Sequence, residues 1–214
     1  MIDSSRLERY VTDSRPRFED LLGQMVEIPS ISMDPAKAPD IRRMAEFARQ
    51  LLTDLGADAR IVETGGYPIV SGGWMTGVHH PTVIVYNHMD VQPAQEPEWK
   101  QAPFAFMNEN GLYKGRGATD DKGPALSALF GARYAIEQGV PINVRFLWEL
   151  EEEIGSPHFA AGLKNRAAIH GRTQLWCPIR SGSRKESRPC PMVCAVCWAR
   201  ALRFGPERKT LIPA

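Results

Sequence analysis

Three clusters of residues that can bind a metal ion are spread along this 214-residue chain. They are His88-Met89-Asp90, the Asp120-Asp121 pair inside the glycine-rich stretch 114–123, and Glu151-Glu152-Glu153. Imidazole nitrogens and carboxylate oxygens are the ligands that zinc and related divalent cations take in proteins. If the fold brings the three clusters together, they predict a metal site, and one with enough ligands for two ions.

Each cluster also has an ordinary structural explanation when it is taken alone. His88-x-Asp90 fits a surface turn, Asp120 could cap a helix after a glycine turn, and the three glutamates could be a solvated loop before a helix. A chemical role also stays open for the first and third clusters. In an extended backbone His88 and Asp90 point to the same side, so the carboxylate could orient the imidazole. Adjacent glutamates could divide the work, one binding metal and its neighbour taking a proton.

The elements around the clusters predict how they are positioned. The apolar, β-branched stretch 81–87 predicts a buried strand that ends at His88, and 142–148 predicts another that ends before the glutamates. Helical spacing of apolar residues predicts helices over 5–28, 40–55, 125–137 and 156–164, and short strands are predicted over 59–62 and 68–70. Pro16 is expected to separate or kink the first helix. This alternation predicts an α/β fold, in which function gathers at the carboxyl ends of the strands.

The composition excludes some classes of function. A hydrophobic content of 43% and a charged content of 24% are typical of a soluble globular protein. The net charge of +1 gives no indication of nucleic-acid binding. No stretch approaches the roughly 20 apolar residues of a membrane span. The N-terminus lacks the apolar core of a signal peptide and the body is free of cysteine, which together predict a cytoplasmic protein.

Further motif residues accompany the three clusters. Val91-Gln92-Pro93 follows the first, 115–119 (Gly-Arg-Gly-Ala-Thr) precedes the second, and Ile154-Gly155-Ser156 follows the third. With them the sequence, over about residues 5–175, resembles the co-catalytic di-zinc metallopeptidases. That family includes carnosinase-like dipeptidases, glutamate carboxypeptidases, aminoacylases and desuccinylases. The details around 91–93 and 118–120 are most similar to its dipeptidase branch.

The resemblance implies a fold and a ligand set. The fold is the three-layer α/β/α zinc-peptidase catalytic domain, of which this chain would hold the N-terminal portion only. The cofactor is two Zn2+ ions, with Co2+ or Mn2+ as alternatives. His88 is expected to bind the first zinc and Glu153 the second. Asp120 is expected to bridge them, with a cis peptide bond to Asp121.

The resemblance also implies an activity. Glu152 is expected to act as the general base and Asp90 to orient His88 during hydrolysis of the amide bond of a dipeptide or an N-acyl amino acid. The resemblance further implies that intact family members are often homodimers through a lid domain, which is expected to be missing from this chain. No nucleic-acid or membrane partner is expected.

The family pattern requires a further metal-binding Asp, in a Ser-Asp-Thr-like context, after the next strand. Here that strand begins at Thr173 and continues as Trp-Cys-Pro-Ile-Arg-Ser-Gly-Ser over 176–183, and no Asp follows Asp121. Codons for 176–183, read from one base earlier, can encode Val-Val-Ser-Asp-Thr. The same shifted frame over 208–214 permits Lys-Asp-x-His-Ser-Gly. We therefore hypothesise a frameshift after Leu175.

The hypothesis divides the chain into residues 1–175, the N-terminal part of the catalytic domain, and residues 176–214, a poorly ordered out-of-frame tail. It also accounts for the change in composition, since residues 172–214 hold nine Lys or Arg, two Glu and all four cysteines. The incomplete ligand set predicts weak zinc binding and negligible hydrolysis.

Two alternatives stay open. Cys190-x3-Cys194-x2-Cys197, with Cys177 upstream, could form a separate structural zinc site, although its spacing is irregular. The chain could also be a non-catalytic remnant or a zinc-binding protein. The other histidines are predicted to lie on the surface or in loops rather than to bind metal; they are His79, His80, His158 and His170.

Overall fold

A computed structural model describes residues 4–97, 99–164 and 173–176 of the chain. Its helices are α1 (Ser4–Val26), α2 (Ala38–Asp54), α3 (Lys122–Glu137) and α4 (Phe159–Lys164), with 3-10 turns at Pro35–Lys37 and Glu152–Ile154. Its strands are β1 (Asp58–Val62), β2 (Ile69–Trp74), β3 (Thr82–His88), β4 (Met107–Glu109), β5 (Leu112–Lys114), β6 (Asn143–Glu149) and β7 (Thr173–Trp176). The chain therefore has the predicted α/β character.

Five of the described strands form one mixed sheet in the order β1-β2-β6-β3-β7. β2 is antiparallel to both β1 and β6, whereas β3 is parallel to β6 and to β7. The register pairs His88 with Glu149. Because β3 and β6 run in the same direction, the first and third clusters emerge at the same edge of the sheet, as the sequence predicts.

Helices cover both faces of this sheet. Side chains on one face of the strands, such as Val85 and Trp148, pack in the hydrophobic core against residues of α1, α2 and α3. On the opposite face Tyr86 packs edge-on against Phe159 of α4, with ring centroids 5.4 Å apart. The side-chain period of two thus sends one set of residues to each helical layer. The three layers agree with the expected α/β/α arrangement.

Helix α1 continues through Pro16 as a single helix, so the expected break into two pieces does not occur. Pro16 and Thr12 are exposed, and water can therefore satisfy the Thr12 carbonyl that loses its helical donor. The opposite side of the helix buries Val11 and Phe18 in the core. Packing of that face outweighs the lost hydrogen bond.

Other differences lie at element boundaries. The helix predicted from residue 156 begins at Phe159, because a 3-10 turn over Glu152–Ile154 and the left-handed Gly155 come first. The hairpin of β4 and β5 was not predicted. β7 begins at Thr173 as expected and pairs with β3 from Thr82 to Val85. The four cysteines, His170 and all of the predicted tail over 176–214 except its first residue, Trp176, lie outside the described residues.

Candidate metal centre

The sheet edge at the end of β3 brings three of the predicted site residues together, namely two predicted ligands and the predicted general base. His88, Glu152 and Glu153 each present a ligand atom, and these atoms all lie within 4.8 Å of one another. The His88 Nε2 atom is 3.7 Å from Glu152 Oε2. Asp120 joins the cluster through the same nitrogen, because its Oδ1 lies 3.0 Å from His88 Nε2.

The members of this cluster differ in their exposure to solvent. The His88 side chain is only 1% exposed, whereas that of Asp120 is 69% exposed and that of Glu152 is 41% exposed. The imidazole is therefore held inside the protein at the end of its strand. The carboxylates form an open side through which a substrate could approach.

Asp90 is fully buried and contacts more than its predicted partner. The Nδ1 atom of His88 lies 3.1 Å from the Asp90 carbonyl oxygen and 3.5 Å from its carboxylate Oδ1. The same carboxylate accepts hydrogen bonds from the backbone N–H groups of Glu152, at 3.2 Å, and Glu153, at 3.0 Å. Asp90 thus lies beside His88, with its backbone carbonyl nearer to the imidazole than its carboxylate, and its carboxylate also fixes the turn that carries the two glutamates.

The hydroxyl of Ser32 donates a further hydrogen bond of 2.7 Å to Asp90 Oδ2. Ser32 lies in the loop after α1 and is 5% exposed. The sequence alone does not predict this contact, since no motif or periodicity distinguishes Ser32 from other residues of the loop.

Asp121 links the second cluster to the end of β3 by hydrogen bonds. Its carboxylate accepts hydrogen bonds from Asn87 Nδ2, at 2.8 Å, and from the backbone N–H of His88, at 3.3 Å. Burial raises the pKa of Asp121 to about 6. The peptide bond between Asp120 and Asp121 is cis, as the resemblance implies. Asp121 therefore joins the end of β3 to the start of α3, and Asp120 projects over His88.

The glutamates of the third cluster are divided between two environments. Glu151 is 4% exposed, and its carboxylate accepts hydrogen bonds from the backbone N–H groups of Tyr67, at 2.8 Å, and His158, at 3.2 Å. Glu152 and Glu153 point toward His88 instead. Gln92 donates a hydrogen bond of 2.9 Å to Glu153 Oε2. Glu151 is thus an anchor for the surrounding loops.

Burial and neighbouring charges shift the pKa values of several residues of the site. Burial opposes protonation of His88, but hydrogen bonds to Asp120 and Asp90 outweigh it and raise the pKa of His88 to about 11. The hydrogen bond from His88 lowers the pKa of Asp120. Burial raises the pKa of Glu153, and the charges of Asp120 and Asp90 add to that rise. Acidic groups gathered in this way favour a cation among them.

The donor set suits a divalent metal ion. One buried imidazole nitrogen, with its other ring nitrogen held by Asp90, faces carboxylate oxygens on two neighbouring elements. Nitrogen and oxygen ligands of this kind fit zinc, and carboxylates also suit manganese. The residues present therefore fit the metal that the sequence predicts.

Residues 84–189 match the family described as Peptidase family M20/M25/M40. The chain belongs to this peptidase family. The match contains all five predicted site residues, and it extends beyond Leu175, the predicted end of the family-like region. Membership of the M20 family, and the position of the cluster at the ends of β3 and β6, agree with the resemblance drawn from the motifs.

Curated relatives of this M20 chain are dipeptidases by name. The chain is 34% identical over 165 residues to the Cys-Gly metallodipeptidase dug1 of Schizosaccharomyces pombe. It is 32% identical over 167 residues to the Beta-Ala-His dipeptidase of Rattus norvegicus. Each alignment covers 71% of this chain but only 35% and 34% of the relative. The chain thus spans about a third of the length of these relatives.

Solved structures give the same result for the fold. The di-peptidase Dug1p from Saccharomyces cerevisiae superimposes with a TM-score of 0.69 at 29% identity, covering 76% of this chain and 38% of that one. Human carnosine dipeptidase 1 superimposes with a TM-score of 0.65 at 31% identity, covering 72% and 36%. Among the described helices of this M20 chain, none is long and apolar enough to cross a membrane.

Proposed function

We propose that this chain is part of a zinc-dependent dipeptidase, which hydrolyses the amide bond of a dipeptide or an N-acyl amino acid. The observation that carries the proposal is the cluster of His88, Glu152 and Glu153, whose ligand atoms all lie within 4.8 Å of one another. The dipeptidase names of the relatives support the same reaction.

Specific residues would hold the metal. His88 would bind one ion through Nε2, Glu153 would bind a second, and the exposed Asp120 carboxylate would bridge the two. A cation held there polarises the peptide carbonyl and makes water a stronger acid. Gln92 supports this arrangement by its hydrogen bond to Glu153, which limits the rotation of that carboxylate.

Glu152 is the proposed general base. Its carboxylate is 41% exposed and lies 3.7 Å from His88 Nε2, so it is within reach of both the ligand cluster and solvent. It would take a proton from the attacking water and pass it to the leaving amine. The Asp90 carboxylate accepts the hydrogen bond from the Glu152 backbone N–H, which keeps the base beside the imidazole.

We further propose that residues 1–175 are the N-terminal part of the catalytic domain and that residues 176–214 are read out of frame. A cytoplasmic location, and a homodimer in longer members of the family, belong to the same proposal. With no Asp after Asp121, the expected set of metal ligands is incomplete. The 214-residue chain should therefore bind zinc weakly and hydrolyse dipeptides negligibly.

Two experiments test the proposal. Elemental analysis and hydrolysis of Cys-Gly and β-Ala-His should find weak metal binding and no turnover above that of Glu152→Gln. Turnover that Glu152→Gln abolishes would contradict the predicted inactivity, and a wild-type chain without any metal affinity would contradict the metal site. Sequencing the DNA around codon 175 tests the frameshift, which is excluded by codons that cannot encode Val-Val-Ser-Asp-Thr in the shifted frame.

A further inference from the structure

A short segment after α1, Ser30–Ser32, runs beside the first cluster. The Val91 N–H donates to the Ser30 carbonyl at 2.9 Å, and Ile31 forms a parallel bridge with Val91. The two serine hydroxyls then contact different groups. Ser30 Oγ donates to the Met89 carbonyl at 2.6 Å, whereas Ser32 Oγ donates to the Asp90 carboxylate at 2.7 Å.

The Asp90 carboxylate is the point at which three parts of the fold meet. Its Oδ2 atom accepts from Ser32 and from the Glu153 N–H, and its Oδ1 atom accepts from the Glu152 N–H and lies 3.5 Å from His88 Nδ1. The orientation of this single carboxylate is thus coupled to the imidazole on β3 and to the glutamate turn after β6.

We infer that Ser32 is a positioning residue of the proposed metal centre, acting through Asp90; the inference rests on the proposed function. The terminal torsion of an aspartate is broad and roughly two-fold, so its plane must be fixed by hydrogen bonds. Of the three donors, the Ser32 hydroxyl is the one supplied by a side chain from outside the two ligand-bearing loops. Without it the carboxylate can rotate, which loosens its hold on His88 and on the Glu152-Glu153 turn.

Ser30 provides a matched control. It is buried, lies two residues away, and also donates its hydroxyl to the first cluster. Its acceptor is a backbone carbonyl, so loss of its hydroxyl leaves the Asp90 carboxylate bonded as before. Ser30→Ala and Ser32→Ala therefore remove equivalent groups but differ in their effect on Asp90.

Mn2+ binding to the full 214-residue chain, followed by the EPR signal of free Mn2+, measures the effect. Mn2+ is chosen because soft cysteine thiolates do not favour it. Mutation of the groups that hydrogen-bond to metal ligands typically lowers metal affinity by about 10- to 100-fold. Ser32→Ala should weaken Mn2+ binding by about tenfold, Ser32→Thr should restore it, and Ser30→Ala should stay within about twofold of wild type. If wild type binds Mn2+, equal affinities for the two alanine variants would overturn the inference.

A metal-free measurement separates this inference from the proposed function. In proton–nitrogen NMR spectra of the apo chain, Ser32→Ala should shift the backbone amides of Glu152 and Glu153 and the ring nitrogens of His88. Ser30→Ala should leave these signals in place. If wild type binds no Mn2+ but the shifts occur, the metal site fails and the positioning role of Ser32 stands. If the signals do not move, the positioning role is wrong whatever the metal affinity.

Discussion

The buried Nζ atom of Lys122 lies 2.8 Å from the carbonyl oxygen of Ile28 and donates a hydrogen bond to it. A second bond of 2.8 Å runs to the Met25 carbonyl at the end of α1, and burial lowers the pKa of Lys122 to about 7. Lys122 follows directly after Asp120-Asp121. The Nζ atom therefore ties the loop that carries Asp120 to the first helix.

Replacing Lys122 with Met should destabilise the fold. The substitution keeps most of the side-chain volume but removes both hydrogen bonds from Lys122 to the carbonyls of Met25 and Ile28, each of which keeps one backbone donor. A hydrogen bond contributes about 0.5–1.5 kcal/mol, so the free energy of unfolding should fall by about 1–3 kcal/mol. Urea unfolding followed by circular dichroism measures it. Lys100→Met, at an exposed position, is the control and should change stability by less than about 0.5 kcal/mol; equal losses would contradict the prediction.

Glu151 and Glu152, although adjacent, should differ in their contribution to stability when each is changed to Gln. Glu151 accepts from the backbone N–H groups of Tyr67 and His158, and an amide cannot accept with both ends. Glu151→Gln should therefore lower the free energy of unfolding by about 1–3 kcal/mol. Glu152→Gln, on a half-exposed side chain, should change it by about 0.5 kcal/mol or less. Thermal unfolding of the two variants decides the matter, and equal losses would mean that Glu151 is not the anchor.

That division marks the limit of what the sequence could predict. The strand ends and the three clusters could be predicted, because apolar β-branched stretches and their polar ends are local patterns. Which glutamate turns inward could not, because it depends on the 3-10 turn over Glu152–Ile154 and on acceptance of N–H groups from Tyr67, 84 residues away. Local periodicity carries no information on such a contact.

Ser32 and Pro16 illustrate the same limit in opposite directions. Ser32 was missed because its importance comes from Asp90, which lies 58 residues along the chain. The break predicted at Pro16 does not occur. The rule that proline ends a helix ignores exposure of the Thr12 carbonyl and burial of Val11 and Phe18 on the other side of the helix. In both cases tertiary packing determines what the residue does.

Alkaline pH should reveal the burial of Tyr10. Its hydroxyl donates to the Phe130 carbonyl at 3.0 Å, and burial, with a contribution from the charge of Glu137, raises the pKa of Tyr10 from 10.0 to about 12. The unfolded chain ionises first, so this stabilisation is complete below pH 10 and is lost as the pH rises toward 12. The free energy of unfolding should fall less steeply over that range in Tyr10→Phe than in wild type. Parallel pH dependences in urea unfolding would show that Tyr10 is not responsible.

Substitution of His88 should abolish stabilisation by Mn2+. A ligand that binds only the folded state at ten times its dissociation constant adds about 1.4 kcal/mol of stability, so the melting temperature of wild type should rise with Mn2+ concentration. In His88→Asn it should stay constant. His158→Asn is the control, because the His158 Nδ1 atom contacts Glu151 at 3.1 Å, away from the ligand cluster. Its melting temperature can differ from that of wild type, but it should rise with Mn2+ to the same extent. An equal rise in His88→Asn would mean that Mn2+ binds elsewhere on the chain.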